Sequence, residues 1–298
     1  MEKMLGKLKQ LNMKVDVNLP LAAYSSFRIG GNADLALFPA SRKQLMEALS
    51  VVREGDAPVL VVGNASNVVF SDNGYRGVII FTTEYREACV GNGNIRVGAG
   101  ALISAASAMA RDASLQGLEF AYGIPGTVGG AVFMNAGAFG GSMADVCIQS
   151  EYYDMETGEC GVLAGDAQDF SYRTSTYEKN PSRVILGATL QLKNGDREEI
   201  RRTMKDFMER RKTTQPLEYP SAGSVFKRPS GHFAGKLIED CGLKGLRIGG
   251  AEVSQKHAGF IVNRGGATAG DVRALVETIR ERVLCETGVV LECEIRFL

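Results

Sequence analysis

The chain has 298 residues, enough for a sizeable core and two domains, and its 45% hydrophobic and 23% charged residues are the proportions of an ordinary globular protein. Lys and Arg together number 34 and so do Asp and Glu, so no global field recruits nucleic acid or a membrane surface. The first twenty residues carry scattered lysines without a continuous apolar stretch or a small-residue cleavage site, and no segment is long and apolar enough to span a bilayer. The expectation is therefore a cytoplasmic protein without a membrane segment or nucleic-acid partner. Six cysteines lack a C-x-x-C pair and the two histidines, His232 and His257, lack metal-ligand spacing. Buried, reduced thiols and no metal are expected.

In chain order, "RKQLMEALSVVRE" (42 to 54) spaces its apolar residues as a helix does. "APVLVVG" then reads as a buried strand running into the turn-rich loop "NASNVVFSDNGYRG". "GVIIF" (77 to 81), "NIRVGAG" (94 to 100) and "RVILGATLQL" (183 to 192) are further strands, with "ALISAASAMARDAS" (101 to 114) a helix. The charged helix "DREEIRRTMKDFMERRKT" (196 to 213) leads into "QPLEYPSAG", where the composition changes and a domain boundary near residue 200 is placed. Beyond it come a helix "AGKLIEDCG", a strand "GFIVN", a helix "DVRALVETIRERVLCETG" and a closing strand "VVLECEIRF". In that closing strand Leu291, Cys293, Ile295 and Phe297 share one face and Glu292, Glu294 and Arg296 the other.

Between residues 121 and 141, "AYGIPGTVGGAVFMNAGAFGG" places seven glycines among apolar residues, which excludes a polar linker. Either tight turns or a large ligand lying on the main chain calls for such a segment. "NIRVGAGALISAA" imitates a dinucleotide-binding turn, but Ile103 stands where the third small residue belongs and no acid follows to hold a ribose. "YPSAGSVFKRP" lacks the second glycine of a nucleophile elbow. Its Ser224 suits proton donation, and Lys227 and Arg228 suit an anionic substrate. In "DFSYRTSTYEKNP", Arg173 is placed either to clamp a carboxylate or to make a surface ion pair.

Seven motifs occur in order: "SSFRIGG", "VVGNASNVV", "GIPGTVGGAVFMNAGAFGG", "FSYRTS", "SAGSVFKRP", "AGKLIEDCGLKGLRIGGAEVSQKHAGFIVN" and "LECEIRF". Together, from about residue 20 to the C-terminus, they resemble the UDP-N-acetylenolpyruvoylglucosamine reductase family, in its shorter form. The resemblance implies an α+β fold: a FAD-binding domain of the PCMH/vanillyl-alcohol-oxidase type over residues 1 to 200, made of two subdomains divided near 85 to 95, and a C-terminal α+β substrate-binding domain over 201 to 298. It implies FAD held by Arg28, Gly30, Gly63, Asn64, Ala65, Ser66, Asn67, Gly123, Pro125, Gly126, Thr127, Gly129, Gly130, Asn135, Ala136 and Gly137, in part through main-chain N–H groups.

The same resemblance implies catalysis by Arg173, Ser224 and Glu294, with Lys227 and Arg228 toward the substrate. NADPH would reduce the flavin, and UDP-GlcNAc-enolpyruvate would then take hydride at its vinyl carbon. Arg173 and Glu294 would stabilise the enolate-like charge, and Ser224, tuned by Lys227 or water, would protonate the neighbouring carbon. Both histidines lie in the C-terminal part, so the FAD is expected to be non-covalent. Two departures stand out. Ala65 replaces a family glycine in the flavin loop, and Ser142 stands where a glutamate is common. A flavoenzyme of the same fold with another substrate, and a non-catalytic flavin binder, are the alternatives at this point.

Overall fold

The computed structural model describes residues 2 to 55 and 57 to 298, and these form two compact units. The first comprises residues 1 to 17, 34 to 64 and 77 to 209. The second comprises residues 18 to 33, 65 to 76 and 210 to 298. The units are thus discontinuous in sequence, whereas the linear division near residue 200 assigned 18 to 33 and 65 to 76 to the N-terminal part. Strand pairing is the physical reason: Arg296–Phe297 pairs in parallel with Val68–Val69, which ties an early segment to the C-terminal one.

Two larger sheets shape the first unit, beside two short two-stranded pairs, Gly137–Ala138 with Gly141–Ser142 and Leu115–Gln116 with Lys193–Asn194. One runs in the order Lys14–Pro20, Asn32–Phe38, Tyr75–Phe81, Val59–Val62, its last two strands parallel. The parallel pair explains the uninterrupted apolar run in "GVIIF", since both of its faces are covered. The helix Arg42–Glu54 starts where the Ser41 hydroxyl accepts the Gln44 N–H (3.2 Å), and it buries Leu45, Ala48, Leu49 and Val52. These side chains share a core with Leu35, Leu37, Val78 and Ile80, and also with Tyr153, Val184 and Leu186 of the second sheet.

That second sheet is antiparallel, in the order Cys160–Ala164, Cys147–Asp154, Arg183–Gln191, Asn94–Gly98, Ala88–Val90. The helices Ile103–Asp112 and Val128–Phe133 contribute to its core, with Ile95, Val97, Val128, Val132 and Leu190 at the centre.

In the second unit the antiparallel sheet Ser221–Ser224, Phe260–Asn263, Ala251–Val253, Arg247–Ile248 carries the helices Ala234–Asp240 and Ala269–Thr287. The long helix is closed at its start by a Thr268/Asp271 capping box and at its end by left-handed Gly288. Its first N–H groups, those of Ala269 and Gly270, also donate to the Asp72 carboxylate (2.8 and 3.1 Å). Phe27, Ile29 and Val69 complete this core from the two early segments.

Two sequence expectations are corrected here. The closing strand is not continuous: only Arg296–Phe297 is strand, and Cys293 makes a single bridge to Phe226. The apolar alternation survives in burial, with Leu291 and Ile295 inside. The cysteines are all free thiols, but Cys89, Cys160 and Cys285 are exposed. Cys89 and Cys160 lie on the two edge strands of the five-stranded sheet, where no neighbouring strand covers them. No helix among the described residues is long and apolar enough to cross a membrane, and none of their acidic, histidine and cysteine side chains cluster as a metal site.

Candidate functional site

In the first unit the glycine-rich segment meets Gly63 and Asn64, the first two residues of "GNASN". The Asn64 side-chain amide donates to the Pro125 carbonyl (2.7 Å), and a Cβ on Gly63 would stand 2.0 Å from the Thr127 hydroxyl oxygen. Thr127 is buried there and caps the short helix Val128–Phe133 through the Gly130 N–H (3.4 Å). We expect Gly63→Ala to cost about 1–3 kcal/mol of stability by overpacking and to lower the FAD content of purified protein, as read by thermal melting and flavin absorbance. Full flavin content with an unchanged melting point would show that Thr127 yields freely.

Several of the seven glycines serve chain packing. A Cβ on Gly129 would lie 3.0 Å from that of Ala99, one on Gly137 would lie 2.6 Å from the Gly141 carbonyl, and one on Gly141 would strike the Phe120 ring. The Val128 and Gly129 N–H groups donate to the Ala101 and Ala99 carbonyls (both 2.8 Å), which fastens the start of the short helix to the preceding loop. At Gly130 the main chain is open: a Cβ there would meet nothing nearer than Thr127 at 3.6 Å. Gly140, with φ +90°, has no neighbour within 4 Å of such a Cβ. An exposed glycine main chain next to the buried Ala131 and Val132, as at Gly130, fits the close approach of a flavin.

Arg28 (φ +56°), Ala65 (+43°), Asn135 (+42°) and Arg173 (+59°), all expected site residues, hold left-handed backbone. For Arg28, Ala65 and Arg173 this costs about 1 kcal/mol or more, and such strain persists only where surroundings over-determine it, whereas asparagine adopts this backbone more readily. Ala65 therefore keeps the conformation that a glycine would favour at its position. Its carbonyl accepts the Ser26 N–H (3.4 Å), while the Ser26 hydroxyl donates to the Ser221 carbonyl (2.7 Å). Arg28 is held by Asn263, whose buried amide donates to the Phe27 carbonyl (3.1 Å) and accepts from Gly265 and Ala267 N–H (2.9 and 3.2 Å). Sequence reasoning missed Ser26 and Asn263 as supports, although both sit inside recognised motifs. Only long-range pairing reveals what they hold.

Arg173 belongs to the first unit and lies within a tight turn closed by reciprocal bonds between Ser171 and Thr174 (3.1 and 3.3 Å). Ser224 and Glu294 belong to the second unit, and there the structure brings their segments together. The Glu294 N–H donates to the carbonyl of Val225 (2.7 Å), the residue after Ser224, and the Lys227 N–H donates to the Glu292 carbonyl (2.9 Å). The Asn67 side chain donates to the Glu294 carbonyl (3.2 Å), and the Arg296 N–H to the Asn67 carbonyl (3.0 Å).

The two glutamates differ in setting. Glu292 has a side chain 71% exposed and forms an ion pair with Lys227, whereas Glu294 is half-buried. The Lys227 ammonium, expected alongside water as a neighbour that tunes Ser224, is paired here with the Glu292 carboxylate. Burial pushes the Cys293 thiol up beside them, so it stays protonated. Lys227, Arg228, His232, Val290 and Glu292 help line a cavity of about 400 Å³, with the Arg228 guanidinium 3.9 Å over the Phe233 ring.

Comparison with known proteins bears on these arrangements. Residues 215–298 match the model for the UDP-N-acetylenolpyruvoylglucosamine reductase C-terminal domain, and residues 33–163 match that for a FAD binding domain. The UDP-N-acetylenolpyruvoylglucosamine reductase of Caldicellulosiruptor bescii is 48% identical over 94% of this chain and 89% of its own. That of Clostridioides difficile is 43% identical over 99% and 96%. The crystal structure of the Thermus caldophilus enzyme superposes with a TM-score of 0.81 at 37% identity, covering 96% of this chain and 99% of that one. The chain belongs to the UDP-N-acetylenolpyruvoylglucosamine reductase family.

The expected α+β FAD-binding fold with a C-terminal reductase domain is borne out, and FAD is the cofactor. Ser142, where the resemblance led to the expectation of a glutamate, caps the short turn that follows: its N–H and hydroxyl donate to the Asp145 carboxylate (2.7 and 2.9 Å).

Proposed function

We propose that this reductase uses NADPH to convert the enolpyruvyl group of UDP-GlcNAc-enolpyruvate to the lactyl ether of UDP-N-acetylmuramate, in the cytoplasm, as a step of peptidoglycan precursor synthesis. The observation that carries the reading is the join between the Ser224 strand and the Glu294 segment, where the Glu294 N–H meets the Val225 carbonyl at 2.7 Å. The join sets a hydroxyl and a carboxylate on adjoining backbone, as a proton donor and a stabiliser of developing charge require.

When bound, FAD accepts hydride from the nicotinamide and delivers it to carbon. The glycine segment around Gly123, Pro125, Gly126, Thr127, Gly130, Ala136 and Gly137, the loop Gly63 to Asn67, and Arg28 with Gly30 would hold it. The first compact unit is the principal FAD-binding part and the residues from 210 onward the substrate-binding part. Arg173 faces the substrate carboxylate and stabilises the enolate-like charge, with Glu294 sharing that task. Ser224 gives its proton to the carbon bearing the carboxylate, with a water as the tuning neighbour now that Lys227 is paired to Glu292. Lys227 and Arg228 supply positive charge to an anionic part of the substrate.

Pyridine nucleotide oxidation by purified protein should depend on added UDP-GlcNAc-enolpyruvate and yield UDP-N-acetylmuramate. Oxidation at the same rate without that substrate would contradict the reading. Acid denaturation should release all flavin as free FAD, and colour remaining on the precipitated chain would show a covalent link.

A further inference from the structure

We infer that Asn135 is a positioning residue for Arg173, acting through the peptide carbonyl of Ser171, rather than a ligand of the flavin. The inference rests on the role given to Arg173 above. The Asn135 side chain is buried (8% exposed), and both ends of its amide are committed within the protein. Its Nδ2 donates to the Ser171 carbonyl (2.9 Å), and its Oδ1 accepts the Ala144 N–H (2.9 Å). Its own N–H donates to the Val132 carbonyl (3.2 Å).

The Ser171 carbonyl is one of the two that close the turn carrying Arg173, since it also accepts the Thr174 N–H (3.3 Å). Arg173 sits in that turn at φ +59°, a conformation that an unsupported arginine leaves readily. A few residues on, the Ser175 hydroxyl donates to the Phe133 carbonyl (2.8 Å), so the loop is fastened on both sides of the arginine. Asparagine suits the position for two reasons. It tolerates the left-handed backbone required there (φ +42°), and its planar amide offers a donor and an acceptor in opposite directions. Aspartate has the same shape and keeps the acceptor toward Ala144, but as a carboxylate it has no donor for Ser171.

The test uses FAD-loaded enzyme with Asn135→Asp, and Asn135→Gly as a second variant that accepts the same backbone without the brace. Flavin reduction by NADPH and flavin reoxidation by UDP-GlcNAc-enolpyruvate are followed separately by rapid mixing, in wild-type and Arg173→Ala backgrounds. Reoxidation should slow by about tenfold to a hundredfold, the scale of a misplaced group. Flavin content should hold and NADPH reduction should stay within about twofold. In the Arg173→Ala background the same change should add less than about threefold, because the group being positioned is gone.

Equal slowing of both steps, or loss of flavin, would overturn the inference. So would an undiminished effect on top of a crippled Arg173→Ala, which would leave the arginine's role standing. A near wild-type Arg173→Ala would remove both.

Discussion

Replacing Glu294 by Gln should slow reoxidation of the reduced flavin by UDP-GlcNAc-enolpyruvate about a hundredfold or more, while flavin reduction by NADPH stays within about twofold. Glu292→Gln should change either step by less than about fivefold. Both acids lie on "LECEIRF", and on an extended strand they are only about 7 Å apart, so composition does not separate them. The backbone does. Glu294 is fixed from two sides, by its N–H to the Val225 carbonyl and by Asn67 on its own carbonyl. Glu292 points its carboxylate to Lys227 with most of the side chain in water, and an exposed ion pair contributes up to about 1 kcal/mol. Single-turnover rates for both variants decide the matter. The reverse ranking would mean that the register of this segment was misassigned, and two mild variants would make it a solvated surface.

Ser224→Ala should divide the reaction in the same way by a different route. The flavin accepts hydride from NADPH with no proton delivered to substrate carbon, so that step should persist. Reoxidation should fall by roughly a hundredfold, the usual scale for loss of a general acid. Ser224 ends the strand Ser221–Ser224, which pairs with Phe260–Asn263, and backbone bonds carry that pairing. Alanine therefore leaves the sheet intact. Slowing of both steps by one common factor would make Ser224 a structural or shared-binding residue.

Much of this was legible in the sequence because it is local. The helix Arg42–Glu54 follows from apolar spacing, the helices Ile103–Asp112, Arg197–Thr214 and Ala269–Thr287 lie where the sequence predicts helix, and the strand Val59–Val62 follows from a short apolar run before a turn-rich loop. The motif order carried the family and with it the candidate residues. The rest depends on pairings between distant residues. Nothing near Val68 announces that it pairs with Arg296, so a linear boundary does not reveal that segments 18 to 33 and 65 to 76 pack with the C-terminal residues. The glycines of 123 to 141 look alike in sequence, yet Gly129, Gly137 and Gly141 answer to Ala99, to one another and to Phe120, and Gly130 leaves the main chain open. Left-handed Ala65 and Arg173 run against local preference and are imposed by what surrounds them.

The central claim is that flavin electrons taken from NADPH are given to the enolpyruvyl double bond. Its most direct test is an anaerobic single turnover, in which protein bleached with a matched amount of NADPH is mixed with excess UDP-GlcNAc-enolpyruvate. Oxidised-flavin absorbance should return in full without oxygen, with one UDP-N-acetylmuramate formed per flavin. Flavin that stays reduced until air is admitted, with no product, would contradict the account.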